Sequence, residues 1–356
     1  MKRTSVAKWS DKKQYWQINV QKGGVRKSFY SSKPGRQGQR ECHAKADDWL
    51  DDNITDSSIR VNILWEEYLT SQKESTSKSN WIKVESFGKN WIKPVIGSKK
   101  ICELSEANLQ QIINKAYAKG LAKKTLTNLK ATITSFIKYC RMRNVTKLFP
   151  ENVRIPKGAK TSQKRILQPN DLVTLFSVDT TTKYNKRIKD PLINAYRLQV
   201  LTGLRPGELL GLEWTDIVEN KVHVRRSINK YGEVTTGKND NAVRHFVLSG
   251  LALKVLTDQR KLSLTKGRIF GDITHDIYRK RWEKYCISNG IELISTYELR
   301  HTFVSVAKNL SEGQVKTLVG HSKNMDTFGI YGHELQGELE ETANEIDELF
   351  SRLIGE

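Results

Sequence analysis

The apolar residues between Thr125 and Met142 recur at the spacing of an α-helix, and this pattern constrains the fold more than any other feature of the sequence. The residues of this apolar stripe are Leu126, Leu129, Ile133, Phe136, Ile137 and Cys140. Positions three and four apart lie on one face of a helix, and an apolar face must be buried against other elements. Shorter stripes are formed by Val61, Leu64, Trp65 and Tyr68 and, after a capping residue at Ser105, by Leu109, Ile112, Ile113 and Ala116. A helical domain is therefore predicted here.

Strand-like alternation of polar and apolar residues occurs in two other parts of the chain. Residues 15–20 and 25–30 predict two strands joined by a turn at residues 23–24, in a small three-stranded N-terminal domain with a helix over about residues 41–50. A second β-rich stretch, residues 222–248, interrupts the longer helices of the C-terminal half. The predicted fold class is α+β, mainly α-helical with small β-sheets.

The length of 356 residues exceeds what one hydrophobic core usually serves, so two or three domains are expected. Residues 1–57 are predicted to form a basic domain that ends in an acidic linker at residues 47–57. Residues 58–155 are predicted to form the helical domain. A second linker, residues 150–164, leads to a C-terminal domain over residues 165–356.

The chain is strongly basic, with 60 Lys and Arg against 39 Asp and Glu, a formal net charge of +21 and a pI near 9.7. Such a charge indicates a polyanionic partner, and on charge alone DNA, RNA and an anionic membrane all fit. Residues 1–46 hold twelve basic and two acidic residues, a net charge of +10. The residues predicted to contact DNA are Lys12, Lys13, Arg26 and Lys27 in the N-terminal domain and Lys130, Lys138 and Arg141 in the helical domain.

The sequence disfavours several classes of protein. No apolar run approaches the roughly 20 residues that span a bilayer, and the N-terminus lacks the apolar core of a signal peptide, so an intracellular, soluble protein is expected. The four cysteines stand alone, which argues against a zinc site and a disulfide framework. Because no Asp, Glu and His residues cluster as metal ligands do, neither a metal ion nor another cofactor is expected.

An arginine stands directly before a proline in the segment from Leu201 to Trp214. Proline suits the first position of a helix, so Arg205 would lie at a helix N-terminus, where unpaired N–H groups favour an anion. Its guanidinium can hold two phosphate oxygens at once. Glu208, three residues later, is expected to orient Arg205.

Further polar groups follow at characteristic intervals in the last sixty residues. The segment Tyr297–Phe303 supplies a second arginine, Arg300, and His321 follows a predicted helix. The capping residues of that helix are Ser311, Gln314 and Gly320. Tyr331 comes ten residues after His321.

The order of these segments resembles the tyrosine recombinase, or phage integrase, family. In that family the first arginine lies in a T-G-x-R-x-x-E-L box, matched by residues 202–209, and the second in an H-x-x-R-H box, matched by residues 297–301 except at its first position. The nucleophile follows an L-x-G-H box, here residues 318–321, by about ten residues. Lys238, followed by an arginine and an apolar strand at residues 244–248, matches the family's β-hairpin lysine. The resemblance implies an arm-binding domain, a core-binding domain and a mixed α/β catalytic domain.

The resemblance also implies a reaction, in which DNA strands are cut and rejoined to integrate or excise a mobile element or prophage. Arg205, Arg300 and His321 would bind the scissile phosphate, and Lys238 would protonate the 5′ leaving oxygen. Tyr331 would attack phosphorus and form a 3′-phosphotyrosyl bond. Because that ester conserves the bond energy, ligation to a new 5′ hydroxyl would need no ATP.

Four further residues lie near these boxes. Tyr297 stands where the family usually has a histidine, and it can donate a hydrogen bond to a phosphate oxygen but carries no positive charge at neutral pH. His301 and His333 are secondary candidates for the site. Lys230, in the same hairpin region, is the alternative to Lys238 as general acid.

Residues 334–356 hold eight acidic residues and a single basic one, Arg352, along a predicted helix. Its apolar stripe consists of Leu339, Ala343, Ile346, Phe350 and Leu353. Because DNA repels an acidic helix, its expected partner is protein, a neighbouring protomer in a homotetramer on double-stranded DNA attachment sites. An excisionase or a DNA-bending host factor is a further expected partner, and the expected location is the bacterial cytoplasm, at the nucleoid.

Two other functions stay open on the sequence alone. A type IB topoisomerase uses the same chemistry to relax supercoils as a monomer, and a DNA-binding regulator could retain the fold without catalysis. The basic N-terminal domain and the acidic helix favour a recombinase over a topoisomerase. The complete set of two arginines, lysine, histidine and tyrosine argues against a regulator.

Overall fold

The computed structural model describes residues 5–22, 25–51, 58–161, 163–236, 243–262, 267–320 and 337–355. The chain divides into two compact units, Met1–Ser162 and Gln163–Glu356. As predicted, it is mainly helical with small sheets. Within the described ranges, none of the helices has the length and apolar character needed to cross a membrane.

The first unit begins with a three-stranded antiparallel sheet that confirms the two predicted strands and adds a shorter one. The strands, in sheet order, are β1 (Lys8–Ser10), β2 (Tyr15–Lys22) and β3 (Val25–Ser31). Helix α1 (Gly35–Asp51) packs on the sheet. The core between them consists of Ala7, Ile18, Val20, Cys42, Ala46 and Leu50.

Helix α1 corrects the sequence analysis at both ends. It begins at Gly35 rather than near residue 41, and it continues to Asp51, so residues 47–51 belong to the helix and not to the linker. The buried Ala46 and Leu50 explain this extension, because the last turn of the helix packs on the sheet. The predicted turn at residues 23–24 and the rest of the acidic linker, residues 52–57, lie outside the described residues.

The predicted helical domain forms as a bundle with its own core. Its helices are α2 (Val61–Ser75), α3 (Lys78–Phe87), α4 (Lys93–Ile96), α5 (Glu106–Ala118) and α6 (Lys123–Met142), with a π-helical turn at Gly88–Ile92. All three predicted apolar stripes are buried in this core. Ser105 caps α5, as expected, in a capping box with Asn108. The periodicity of the sequence therefore placed this core correctly.

The segment predicted as the second linker is largely packed against the bundle. Val153 and Ala159 are buried in its core, and the backbone N–H of Arg154 donates to Oε1 of Gln110 on α5 at 2.7 Å. The N–H of Asn152 donates to Oε1 of Glu106 at 2.8 Å. Polar side chains of α5 thus accept hydrogen bonds from backbone N–H groups in a segment whose described residues form no helix or strand. The first unit accordingly extends beyond the predicted limit of residue 155.

The second unit is built around a helix that is buried on all sides. Its helices are α7 (Pro169–Ser177), α8 (Ile193–Thr202), α9 (Pro206–Gly211), α10 (Gly250–Leu262), α11 (His275–Asn289), α12 (Thr296–Val306), α13 (Glu312–Val319) and α14 (Glu338–Ile354). Nearly every residue of α8 is buried, including Tyr196 against Tyr278, Trp282 and Tyr285. This buried helix also contacts the loop that follows it, because Gln199 Nε2 donates to Leu204 O at 3.1 Å.

The described part of the second unit also contains three small sheets. One has the order β10-β7-β6, formed by β6 (Ile217–Val218), β7 (Lys221–Val224) and β10 (Arg244–Val247). The others are the hairpins of β4 (Thr180–Lys183) with β5 (Lys186–Lys189) and of β8 (Ser227–Ile228) with β9 (Val234–Thr235). The predicted β-rich stretch is thus present and begins slightly earlier, whereas the β4–β5 hairpin was not predicted.

The acidic C-terminal helix α14 forms as predicted, but its apolar stripe faces its own chain. Phe350 is fully buried in the core of the second unit and lies 6.4 Å from Phe303, ring centroid to centroid. Leu339, Ala343 and Ile346 are also buried. The expected packing on a neighbouring protomer stays a prediction, since this structure covers the stripe without one.

Candidate active site

Arg205 occupies the N-cap of α9, with Pro206 at the first helical position, as the sequence predicts. Its backbone N–H donates to Oε2 of Glu208 at 3.0 Å, and its Nη1 donates to Oε1 of the same carboxylate at 2.6 Å. The Arg205 side chain stays 23% exposed, while that of Glu208 is 2% exposed. A buried carboxylate therefore orients an arginine that still reaches solvent.

Arg300, on α12, is almost completely buried and is held by two backbone carbonyls. Its Nη1 donates to Gly203 O at 2.8 Å and its Nη2 to Val319 O at 2.7 Å. Gly203 adopts φ +63°, and a Cβ there would come within 2.4 Å of the Phe303 ring. Only glycine suits this position, which places the carbonyl at the end of α8 against Arg300.

Three arginines converge on the last turn of α13. The contacts are Arg244 Nε to Leu318 O at 2.8 Å, Arg300 Nη2 to Val319 O at 2.7 Å, and Arg205 Nη2 to Gly320 O at 3.1 Å. The last carbonyls of a helix lack intrahelical partners and carry the negative end of its dipole, so cations are favourable there. The chain therefore enters the segment of His321 directly beside the two predicted phosphate-binding arginines.

Helix α13 has the ends predicted for it. Ser311 and Gln314 form the capping box, with the N–H of Gln314 donating to Ser311 Oγ at 3.2 Å. Gly320 ends the helix in the left-handed conformation at φ +62°. This local sequence fixes where the helix stops and hence which carbonyls the arginines meet.

Among the described residues the cluster holds an excess of positive charge, since Arg205 and Arg244 pair with one buried carboxylate, Glu208, whose charge also acts on Arg300. Burial, followed by repulsion from Arg205, lowers the pKa of Arg300 to about 10. The guanidinium is still charged at neutral pH, but its burial and the neighbouring arginine raise the free energy of the charged form. An anion placed beside these groups would relieve that penalty. The arrangement is therefore suited to binding a phosphate.

Tyr297 and His301 lie one turn apart on α12, with ring centroids 5.5 Å apart in an edge-on contact. Tyr297 is 44% exposed, whereas Arg300 behind it is buried. His301 is half-buried, and burial followed by the charge of Lys164 lowers its pKa. Tyr297 is therefore the more accessible of the two.

Four predicted residues, Lys238, His321, Tyr331 and His333, lie outside the described residues. Lys230, the alternative to Lys238, follows β8, with its Nζ 4.9 Å from the Tyr231 ring centroid. No group of three or more His, Cys, Asp or Glu side chains that could hold a metal ion occurs in the described ranges.

The residues predicted to contact DNA are described and largely accessible. Lys12, Lys13, Arg26, Lys27 and Lys138 are exposed, and Lys130 and Arg141 are half-buried. Lys27 Nζ lies over the Phe29 and Trp49 rings, and the Arg141 guanidinium lies 3.8 Å from the Phe149 ring centroid. Two of these cations, Lys27 and Arg141, therefore lie against aromatic rings.

Sequence reasoning missed the part that Arg244 plays in the cluster. The residue was noted only as the arginine that follows Lys238 in its box, yet its Nη1 and Nη2 bind both oxygens of Glu208, at 3.3 and 3.0 Å. Its position in that box, ahead of an apolar strand, was the available signal.

Comparison with known sequences identifies two matching families. Residues 165–338 match the phage integrase family, and residues 61–117 match the N-terminal SAM-like domain of phage integrases. A tyrosine recombinase XerC-like protein of Caldanaerobacter subterraneus subsp. tengcongensis is 23% identical over 98% of this chain and 99% of its own length. The integrase of Staphylococcus phage L54a is 22% identical over 84% of this chain and 91% of its own.

Solved structures show a shared fold. The Tn1549 transposon integrase in complex with transposon right end DNA matches with a TM-score of 0.63 and 16% identity, over 80% of this chain and 98% of that chain. A lambda integrase tetramer bound to a Holliday junction matches with a TM-score of 0.58 and 15% identity, over 94% of this chain and 98% of that one.

Proposed function

This chain belongs to the phage integrase family of tyrosine recombinases, and we propose that Arg205 and Arg300 form the phosphate-binding part of its active site. The observation that carries the proposal is that these two arginines, 95 residues apart in the sequence, donate to the adjacent carbonyls Gly320 and Val319. The Arg205 side chain is 23% exposed, whereas Arg300 is almost completely buried. A phosphodiester can therefore approach Arg205 from solvent and compensate the charge of both.

The proposed reaction is cleavage and rejoining of DNA strands. Tyr331 gives up its phenolic proton to solvent, its Oη forms a bond to phosphorus as the bond from phosphorus to the 5′ oxygen breaks, and Lys238 donates a proton to that leaving oxygen. The extra negative charge that develops on the non-bridging oxygens is stabilised by Arg205, Arg300 and His321. Attack by a new 5′ hydroxyl on the phosphotyrosine reverses the sequence, so no ATP is consumed.

The basic surfaces of the first unit are proposed to bind DNA, that of α6 at the core site where the strands are cut and that of the N-terminal domain at a separate, arm-type site. Lys12 and Lys13 lie in the turn between β1 and β2, Arg26 and Lys27 lie on β3, and Lys130, Lys138 and Arg141 lie on α6. Exposed cations of this kind neutralise phosphates and release counterions, which gives affinity without reading bases.

The enzyme is proposed to act as a homotetramer on two double-stranded attachment sites, and to integrate or excise a mobile element. The lambda integrase tetramer on a Holliday junction, which shares the fold, supports this assembly. We place the reaction in the bacterial cytoplasm at the nucleoid, where an excisionase or a DNA-bending host factor would act as an accessory partner.

The covalent intermediate provides the test of this function. Tyr331→Phe removes only the nucleophilic hydroxyl, so the variant should bind a suicide DNA substrate like the wild type yet form no covalent protein–DNA adduct. Tyr184→Phe is the matched control, because Tyr184 is 88% exposed on the β4–β5 hairpin and should keep adduct formation. An adduct of undiminished yield with Tyr331→Phe, or none with the wild type, would contradict the proposal.

A further inference from the structure

Arg244, the first residue of β10, connects three parts of the second unit through one guanidinium. Its side chain is only 7% exposed. Its Nε donates to Leu318 O at 2.8 Å, and its two Nη atoms donate to the two oxygens of Glu208 at 3.3 and 3.0 Å. Strand β10, helix α9 and the last turn of α13 are therefore held together by this side chain.

Glu208 depends on Arg244 for its orientation. Burial opposes its ionisation, but the hydrogen bonds and charge of Arg244, together with Arg205, outweigh burial and lower the pKa of Glu208 below its ordinary value. Each carboxylate oxygen accepts one hydrogen bond from Arg244 and one from Arg205. Without Arg244, the carboxylate could rotate to pair with the Arg205 guanidinium through both oxygens. That pairing would occupy N–H groups which a phosphate would otherwise use.

We propose that Arg244 is a positioning residue for the strand-cleavage reaction. It does not bind the phosphate but holds Glu208, and so keeps the Arg205 guanidinium available and correctly aimed. The inference rests on the proposed function, since it assumes that Arg205 binds the scissile phosphate. It extends that function by assigning a role to a residue whose three N–H donors described above bind Glu208 and Leu318 O.

Arg244 and its acceptor are also close in sequence to two predicted catalytic residues. Arg244 follows Lys238 by six residues, and Leu318 precedes His321 by three. A single side chain therefore links the two parts of the sequence that carry these residues. Loss of its planar fork should disturb the site even if its positive charge is kept, because lysine cannot bind a carboxylate and a carbonyl in this geometry.

The test compares Arg244→Lys with a matched control, Arg226→Lys. Arg226 also pairs with a buried carboxylate in the same β-rich stretch, through Nη1 to Asp216 Oδ2 at 2.9 Å. Single-turnover cleavage by the full chain is measured on two suicide substrates, one with a normal scissile phosphate and one with a neutral methylphosphonate there. The methylphosphonate lacks one charged oxygen, so it depends less on a correctly aimed arginine.

Arg244→Lys should slow cleavage of the phosphate substrate about tenfold to a hundredfold with DNA affinity little changed, and should slow the methylphosphonate much less. Arg226→Lys should leave both rates near those of the wild type. Equal slowing on both substrates would mean a general structural defect, and no slowing would mean no role, so either result overturns the inference. If the wild type itself forms no adduct on the phosphate substrate, the proposed function fails and the inference fails with it, which is a distinguishable outcome.

Discussion

Arg205 and Arg244 both bind the buried carboxylate of Glu208, and its replacement by glutamine is the most informative perturbation of the site. The change preserves shape but removes the negative charge and replaces one acceptor oxygen with an NH2 donor. Four hydrogen bonds, from the Arg205 N–H, Arg205 Nη1 and two Arg244 nitrogens, converge on the two oxygens. At least one guanidinium N–H would then point at the NH2 group of the glutamine, which is also a donor, and would lose its hydrogen bond.

The magnitude follows from burial. Removing one partner of a buried ion pair costs about 3–5 kcal/mol, and because Arg205 keeps access to solvent we expect the lower end, about 3 kcal/mol. For a unit of this size, that loss should lower Tm by roughly 6–12 °C. Cleavage should slow about a hundredfold, because Arg205 would no longer be aimed.

The matched control is Glu283→Gln on α11. Its Oε1 accepts from Arg279 Nη1 at 2.6 Å, the same distance as the contact between Glu208 and Arg205, but both side chains of this pair are exposed. Exposed pairs contribute about 0–1 kcal/mol, so this variant should melt and cleave like the wild type. Calorimetry of the full chain and single-turnover cleavage measure the two effects. If Glu208→Gln behaved like Glu283→Gln in both assays, the carboxylate would not be what organises the arginines.

The pH dependence of the same variant has a defined sign. The pKa of Glu208 is lowered from its ordinary 4.5, so its charge stabilises the folded state fully above 4.5, and this contribution is lost as the pH falls through the lower folded pKa. The stability difference between wild type and Glu208→Gln should therefore be constant from pH 5 upward, as far as this residue is concerned, and should shrink below about pH 4.5.

Three further predictions concern other parts of the chain. Tyr297→Phe should slow cleavage about tenfold to a hundredfold, equivalent to about 1–3 kcal/mol, and Tyr297→His should remain active. Equal single-turnover rates for the wild type and Tyr297→Phe would place Tyr297 outside the site. Deletion of residues 1–46 should weaken DNA binding and reduce its dependence on salt, and unchanged affinity and integration would refute a DNA contact there. Truncation after Gly337 should impair synapsis more than single-site binding, and intact synaptic complexes from a stably folded truncated protein would contradict this.

Much of the fold could be predicted because its signals are local. The stripes at Val61–Tyr68 and Leu126–Cys140 obey helical periodicity, and both are buried. The β4–β5 hairpin escaped prediction because residues 180–189 lack alternating apolar positions, and its turn uses Tyr184 and Asn185 at φ +49° and +59° instead of a glycine pair. Its Arg187 is anchored to Ser288 O and Asn289 on α11, a contact that no local pattern reveals.

The candidate site was predictable as separate boxes but not as an arrangement. The sequence placed Arg205 before a helix and showed that α13 would end at Gly320, and both are observed. That Arg205 would contact Gly320 depends on packing between segments 115 residues apart. The buried helix α8 and the close approach of Gly203 to Phe303 determine that packing, and neither is visible in a one-dimensional pattern.

The packing of α14 on its own chain changes what its removal should do. Phe350 fills the core beside Phe303, and Gln314 of α13 donates to Thr342 Oγ1 and Glu345 Oε2, at 2.9 and 3.1 Å. Loss of a buried phenylalanine alone costs about 3–5 kcal/mol, so truncation after Gly337 should also destabilise the second unit and loosen the helix that leads to His321. Packing of α14 on a neighbouring protomer is compatible with this burial only if the protomers exchange their α14 helices. Such an exchange conserves the buried apolar area, because each protomer receives the helix of another in place of its own. Added helix peptide should then restore folding of the truncated chain, whereas an isolated defect in synapsis would leave its Tm unchanged.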